Sequence, residues 1–181
     1  AEPVLFFNRI AESGRLHISF DFKTSNPIFD TLVLFDDGVT SQDPRYNGHK
    51  DLKYSRGPRF QTASGKVSYN AYSATSTDTG GLSTAWNYVP SDVTFKGSEW
   101  HRFDMITTDL SKADARVTYY LDGQKININP VYCAKAKGLK SIYMLPNLEK
   151  DADGNSPKWT NNDFFIIDNM TARRYFDETG L

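Results

Sequence analysis

The chain has a single cysteine, Cys133, among 181 residues, so no disulfide can close within it. Net charge is almost absent, at −1 from 21 basic and 22 acidic side chains, which argues against a nucleic-acid partner, since such domains are usually basic. No apolar run approaches the roughly 20 residues that a membrane-spanning helix needs, and a membrane partner is not expected. No stretch keeps a 3.6-residue hydrophobic period through three turns, and only "LSKADA", from Leu110, reads as a single helical turn. The sequence also lacks a P-loop, a G-x-G-x-x-G turn and an H-E-x-x-H pair. Cys133 has no histidine near it in sequence to activate a thiolate, so it reads as a small core residue. The chain opens Ala-Glu-Pro, compatible with the trimmed end of a secreted precursor, and an extracellular location is expected.

What is present is a period of two. Hydrophobic residues make up 39% and aromatics 14%, enough to build a sizeable core and to exclude disorder. In "RLHISFDFK", Leu16, Ile18, Phe20 and Phe22 alternate with polar residues, as in a strand with one buried face. "TLVLFDDG" reads as a second strand, and "PRFQTASGKVSYNAY" as two short strands around Ser64-Gly65. "VTFKGSEWHRFDMITTDL" supplies another pair. "ARVTYYLDGQKININ" is a hairpin in which Asp122-Gly123 turns and Ile126 and Ile128 return, because both turn residues need positive φ. "KSIYMLP" and "DFFIIDNMTARRY" are late strands, the second apolar on both faces and so expected deep inside the fold. Residues 73–92 form a long Ser/Thr/Gly-rich loop. Short strands at such intervals imply an all-β antiparallel sandwich, a single domain over residues 1–181.

In this order the pieces resemble the concanavalin A-like, laminin G-like jelly roll. "HISFDFKTSNPIFDTLVLFDDG" is similar to that superfamily's opening strands, and "SGKVSY" to its short glycine-then-strand element. "SEWHRFDMITTDLSKADARVTYYLDGQKI" matches its W-H, strand, loop, strand, D-G hairpin order, and "FFIIDNMTAR" its closing strand. The resemblance spans most of the chain except residues 39–57 and 73–92. It implies a jelly-roll β-sandwich of the carbohydrate-binding-module kind, and it makes Trp100 a packing residue at a strand start, with His101 and Arg102 structural or exposed. The superfamily holds lectins, binding modules, glycosidases and polysaccharide lyases, so fold alone does not decide activity. The E-x-D-x-E pattern of its glycosidases is missing. Asp36 and Asp37 are adjacent and would face opposite sides of a strand, whereas cleavage needs two carboxyls about 5–9 Å apart across one sugar bond. The alginate-lyase strand patterns R-[TS]-E-L-R, Q-I-H and Y-F-K-x-G-x-Y-N-Q are missing too.

The charge is unevenly spread. Residues 45–59, "RYNGHKDLKYSRGPR", hold Arg45, Lys50, Lys53, Arg56 and Arg59 against Asp51 alone, with His49, Tyr46 and Tyr54 among them. A charge run is often only a solvated loop. As a site, guanidinium forks suit carboxylate or sulfate, and flat rings suit the C–H faces of sugars. Gly48 and Gly57-Pro58 would let the segment fold back over the sandwich. Trp86 and Tyr88, in "AWNYVP", and Trp159, beside Lys158 and Asn161, are aromatics in polar surroundings and join the candidate set.

The expected ligand is therefore a polysaccharide, and an acidic one, sulfated or uronic-acid-containing, bound without catalysis. The chain would then serve by itself or within a larger carbohydrate-active enzyme. Two alternatives stay open: a uronate lyase with Tyr46 or His49 as base, and a laminin G-type protein-interaction domain. No cofactor is required. "DADGN" spaces Asp151, Asp153 and Asn155 like the start of a calcium loop, but position twelve is Asn162 rather than glutamate, and a plain turn competes; Asp168 is a further possible calcium ligand.

Overall fold

The structure is a computed structural model, and it describes residues 4–6, 13–25, 29–36, 58–61, 65–70, 88–112, 114–128, 131–132, 141–148, 153, 155, 160 and 162–176. Twelve strands appear in it: β1 Val4–Phe6, β2 Arg15–Thr24, β3 Phe29–Asp36, β4 Pro58–Gln61, β5 Lys66–Asn70 and β6 Tyr88–Thr94. They continue as β7 His101–Thr107, β8 Arg116–Leu121, β9 Gln124–Lys125, β10 Val131–Tyr132, β11 Ser141–Leu148 and β12 Phe165–Tyr175. All pairings are antiparallel. The first sheet runs β1-β11-β3-β4-β5-β6, and the second β10-β8-β7-β2-β12 with β9 paired to β8. No helix occurs among the described residues, so the all-β antiparallel sandwich expected from the period of two is the observed fold.

The core joins the two sheets through aromatic rings. In β2, Leu16, Ile18, Phe20 and Phe22 are buried, and in β7 so are His101, Phe103, Met105 and Thr107. From the first sheet come Phe60, Val67, Tyr69 and Val93, with Phe95 just beyond β6. Phe22 is the hub: its ring centroid lies 5.0 Å from Phe60, 6.1 Å from Phe20, Phe95 and Phe165, and 5.7 Å from His101. Tilted pairs at these distances add to the energy of burying the rings themselves.

Three connections hold the ends of the second sheet. Gly14, at φ +77°, precedes β2, and a Cβ there would stand 2.6 Å from the Tyr175 carbonyl oxygen, so only glycine fits. Asp109 accepts hydrogen bonds from the Ser111 and Gly14 amides and the Ser111 hydroxyl, tying the β7–β8 connection to the start of β2. Those bonds, the Ser111 amide first, hold its carboxyl below the usual carboxylate range. Asp122, at φ 50°, and Gly123, at φ 78°, make the turn expected of the β8–β9 hairpin.

The structure departs from the expectations in three places. The returning strand of the hairpin stops at Lys125; Ile126 is buried, but Ile128 is 62% exposed. The Asn127 side chain replaces the ladder there, accepting from the Tyr119 amide at 2.8 Å and donating to the Val117 carbonyl at 3.1 Å. Among the described strands β12 is an edge of the second sheet, and Ile166 is 43% exposed, so the apolar run at 164–167 does not mark a strand buried on both faces. Its Phe165 and Ile167 pack on the core while Ile166 faces away, as the pleat requires. Strand β6 begins at Tyr88, inside the stretch expected to be loop, because Tyr88 and Val89 pair with Asn70 and Tyr69.

Replacing Phe22 with alanine removes the ring that touches both sheets. A loss of about 3–5 kcal/mol is expected, read as a lower denaturant midpoint with an unchanged slope.

Candidate functional site

The outward row of β2 is as polar as its inward row is apolar. Ser19 and Asp21 alternate with buried Ile18, Phe20 and Phe22. Register places Asp21 beside Arg102 of β7 on one flank and beside Asp168 of β12 on the other. Two carboxylates directly opposite on one face repel. Two features relieve this. The Arg102 guanidinium donates to Asp21 Oδ1 at 2.9 Å and to Ser19 Oγ at 2.7 Å. The ladder also bulges between Asp168 and Thr171: Asn169 turns left-handed, at φ 50°, and its Nδ2 donates to Asp21 Oδ2 at 2.7 Å. The Asn169 hydrogen bond first, and Arg102 after it, hold the Asp21 carboxyl below its ordinary value.

The other wall comes from the β6–β7 connection and the hairpin turn. The connection is pinned by Phe95 N donating to the Gly65 carbonyl at 3.0 Å and Ser98 N to the Thr24 carbonyl at 2.8 Å. His101 is buried, its Nδ1 2.7 Å from Asp122 Oδ2 and its Nε2 2.7 Å from the Lys96 carbonyl oxygen. Asp122 Oδ1 accepts from the Arg102 amide at 2.7 Å. Between the walls runs a groove of about 460 Å³, lined by Asp21, Trp100, His101, Arg102, Asp122, Asp168 and Asn169.

Trp100 corrects the expectation that it packs inward: it is 51% exposed. The reason is parity. His101, Phe103, Met105 and Thr107 all take the inward positions of β7, and the residue before His101 is left pointing out. His101 is structural, as expected, whereas Arg102 lines the groove. Sequence reasoning left this site out, yet the signal was there: the odd-numbered residues from 101 to 107 carry the core of "WHRFDMIT", so Trp100 and Arg102 share the other side.

Of the residues expected to bind a ligand, Arg45, Tyr46, His49, Lys50, Lys53, Tyr54, Arg56, Trp86 and Trp159 lie outside the described residues, as does Asp151. Arg59 stands in β4, paired with Leu32 and Ser68, and Tyr88 opens β6, paired with Asn70. Register then sets the starts of β4 and β6 at one end of the first sheet. Pro58, which opens β4, pairs with Tyr69, and Asn70, which ends β5, pairs with Tyr88. The β3–β4 and β5–β6 connections therefore leave the first sheet at the same end. The groove borders the β6–β7 connection, which leaves from the other end, where Thr94 pairs with Lys66. Asp153 and Asn155 are exposed, and no group of three or more metal-ligating side chains occurs among the described residues.

No family model matches the chain. Nor does any curated protein. Solved structures do share its fold. The alginate lyase Aly36B, solved with an alginate trisaccharide, is 13% identical with a TM-score of 0.52, covering 97% of this chain and 81% of that one. Chicken galectin 2 is 11% identical with a TM-score of 0.54, covering 96% of this chain and 100% of that one. An endo-β-1,4-glucuronan lyase from the fungus Trichoderma reesei is 15% identical with a TM-score of 0.50, covering 97% and 75%. At these identities the likeness is one of fold, and the fold is a jelly-roll β-sandwich.

Asp21 ties the groove to stability. Its folded-state pKa is depressed, so its contribution is present above the ordinary carboxylate value and is lost as pH falls through the folded value. Thermal melts of the native chain and of Asp21→Asn should differ at neutral pH and converge below about pH 4. A gap that persists unchanged in acid would mean that the carboxylate gains nothing from Asn169 and Arg102.

Proposed function

We propose that the protein is a non-catalytic polysaccharide-binding module for an acidic glycan, held where the β3–β4 and β5–β6 connections leave the first sheet. The observation that carries this reading is their convergence. In sequence, Arg45, Tyr46, His49, Lys50, Lys53, Tyr54 and Arg56 precede Arg59 of β4, and Trp86 precedes Tyr88 of β6. The cation-rich segment leads into β4 and the aromatic one into β6, two strands that start at the same end of one sheet, and an anionic sugar chain needs that pairing of chemistries. The guanidinium and ammonium groups meet carboxylates or sulfates, and the rings meet C–H faces. Two of the proteins that share the fold are lyases of alginate and of glucuronan, both anionic polysaccharides, which supports the ligand class. The reading places the protein outside the cell.

Binding of this kind weakens as salt rises, because exposed charges are screened over about 8–10 Å at physiological ionic strength. In affinity electrophoresis, a uronate polymer and a sulfated polymer should retard the protein, less so with added salt. Neutralising Arg45 or Lys50 to glutamine should weaken retention about two- to fivefold each, the scale of one exposed charge pair. Retention by neutral polymers alone would overturn the charge assignment.

The lyase reading is favoured by the same two neighbours. It assigns Tyr46 or His49 as the base that removes a proton beside the uronate carboxyl, with an arginine neutralising the charge. β-Elimination leaves an unsaturated uronate that absorbs in the ultraviolet. Rising absorbance on incubation with a uronate polymer, abolished in Tyr46→Phe or His49→Ala, would replace binding with catalysis.

A further inference from the structure

The acid-lined groove on the second sheet takes no part in that function, and its chemistry points to a different ligand. Three carboxylates, on Asp21, Asp122 and Asp168, face it against the single guanidinium of Arg102. Such a field repels carboxylated or sulfated sugars. Both oxygens of Asp21 are engaged, by Arg102 and Asn169, and both oxygens of Asp122 by His101 and the Arg102 amide. These two acids hold the walls in place. Asp168 differs: it is exposed and lines the groove, and among the described residues its one hydrogen bond is from the Asn169 amide to Oδ1, with none to Oδ2. The carboxamide oxygen of Asn169 likewise has no partner among the described residues, its Nδ2 being bound to Asp21.

Trp100 completes the set. Its ring is 51% exposed at the rim, and its indole N–H has no partner among the described residues. Its backbone is anchored on both sides. Its neighbour His101 is locked by two hydrogen bonds, and the turn before it is pinned through Ser98 to Thr24. A flat apolar face and an indole N–H, beside a carboxylate oxygen and an amide oxygen without partners among the described residues, match a pyranose ring. The C–H face lies on the indole, and adjacent hydroxyls both donate and accept. Because the walls are already bonded, little side-chain ordering is left to oppose binding.

We infer that this groove binds an uncharged pyranose unit of a glycan, with Trp100 stacking on the ring and Asp168 accepting from its hydroxyls. The site is independent of the acidic-glycan site, which lies with the connections at the other end of the first sheet. A chain bearing both would hold mixed polysaccharide surfaces at two points.

Isothermal titration and affinity electrophoresis of the full chain test this, with uncharged β-glucan, mannan, xylan and galactan as probes and a uronate polymer and chitosan alongside. At least one uncharged polymer should bind, with an affinity that salt leaves unchanged. Trp100→Ala should weaken that binding about tenfold, Trp100→Phe should retain most of it, and Asp168→Ala should weaken it about fivefold. Trp100 is exposed, so an unchanged melting temperature will show that the alanine variant is folded. Uronate-polymer binding should be untouched by Trp100→Ala, and neutral-polymer binding untouched by Arg45→Gln with Lys50→Gln, so each claim can fail alone. Failure of every uncharged polymer to bind, equal binding by Trp100→Ala, or binding of chitosan only would overturn the proposal.

Discussion

Contact between Phe22 and Phe60 across the sandwich is the constraint on which the rest of the structure rests. Their ring centroids stand 5.0 Å apart, one on each sheet, and Phe95, Phe103, Phe165 and His101 gather around the pair. Once Phe22 points inward, the pleat forces Asp21 outward, and register sets Arg102 and Asp168 beside it. The groove is thus the far side of the core. The same ring fixes His101, whose imidazole lies 5.7 Å from Phe22 and 5.2 Å from Phe95, and through His101 it turns Trp100 to solvent.

Topology decides from which end of the first sheet each connection leaves. Strands β4, β5 and β6 are consecutive and antiparallel, so alternate connections leave from alternate ends of the first sheet. The basic β3–β4 connection and the aromatic β5–β6 connection share one end. The β6–β7 connection, carrying Trp100, leaves from the other end and crosses to the acid-lined face.

The strands around the core were legible because a one-residue slip in "RLHISFDFK" or "HRFDMIT" would put phenylalanine in water. Edge position was not. The run 164–167 looks buried on both faces, but nothing local tells whether a further strand flanks it, and β12 has none among the described residues. The end of the β8–β9 hairpin was hidden for another reason. The Asn127 side chain imitates a backbone amide, which the spacing of Ile126 and Ile128 cannot reveal. Trp100 was misjudged because its resemblance to a packing position was weighed above the parity of its own strand.

By itself, then, the sequence determined the class of fold, the inward rows of β2 and β8, the Asp122-Gly123 turn and the presence of a cation-rich segment with aromatics. These follow from local rules, period, turn chemistry and composition, that need no partner strand. Only the tertiary structure decided which rows face each other. Asp21, Arg102 and Asp168 are separated by as many as 147 residues and meet because three strands lie in one register, while Pro58, Asn70 and Tyr88 converge because three strands alternate in direction. A binding surface is made of such meetings, and pairing between distant strands is written in the packing of the whole chain rather than in any one stretch of it.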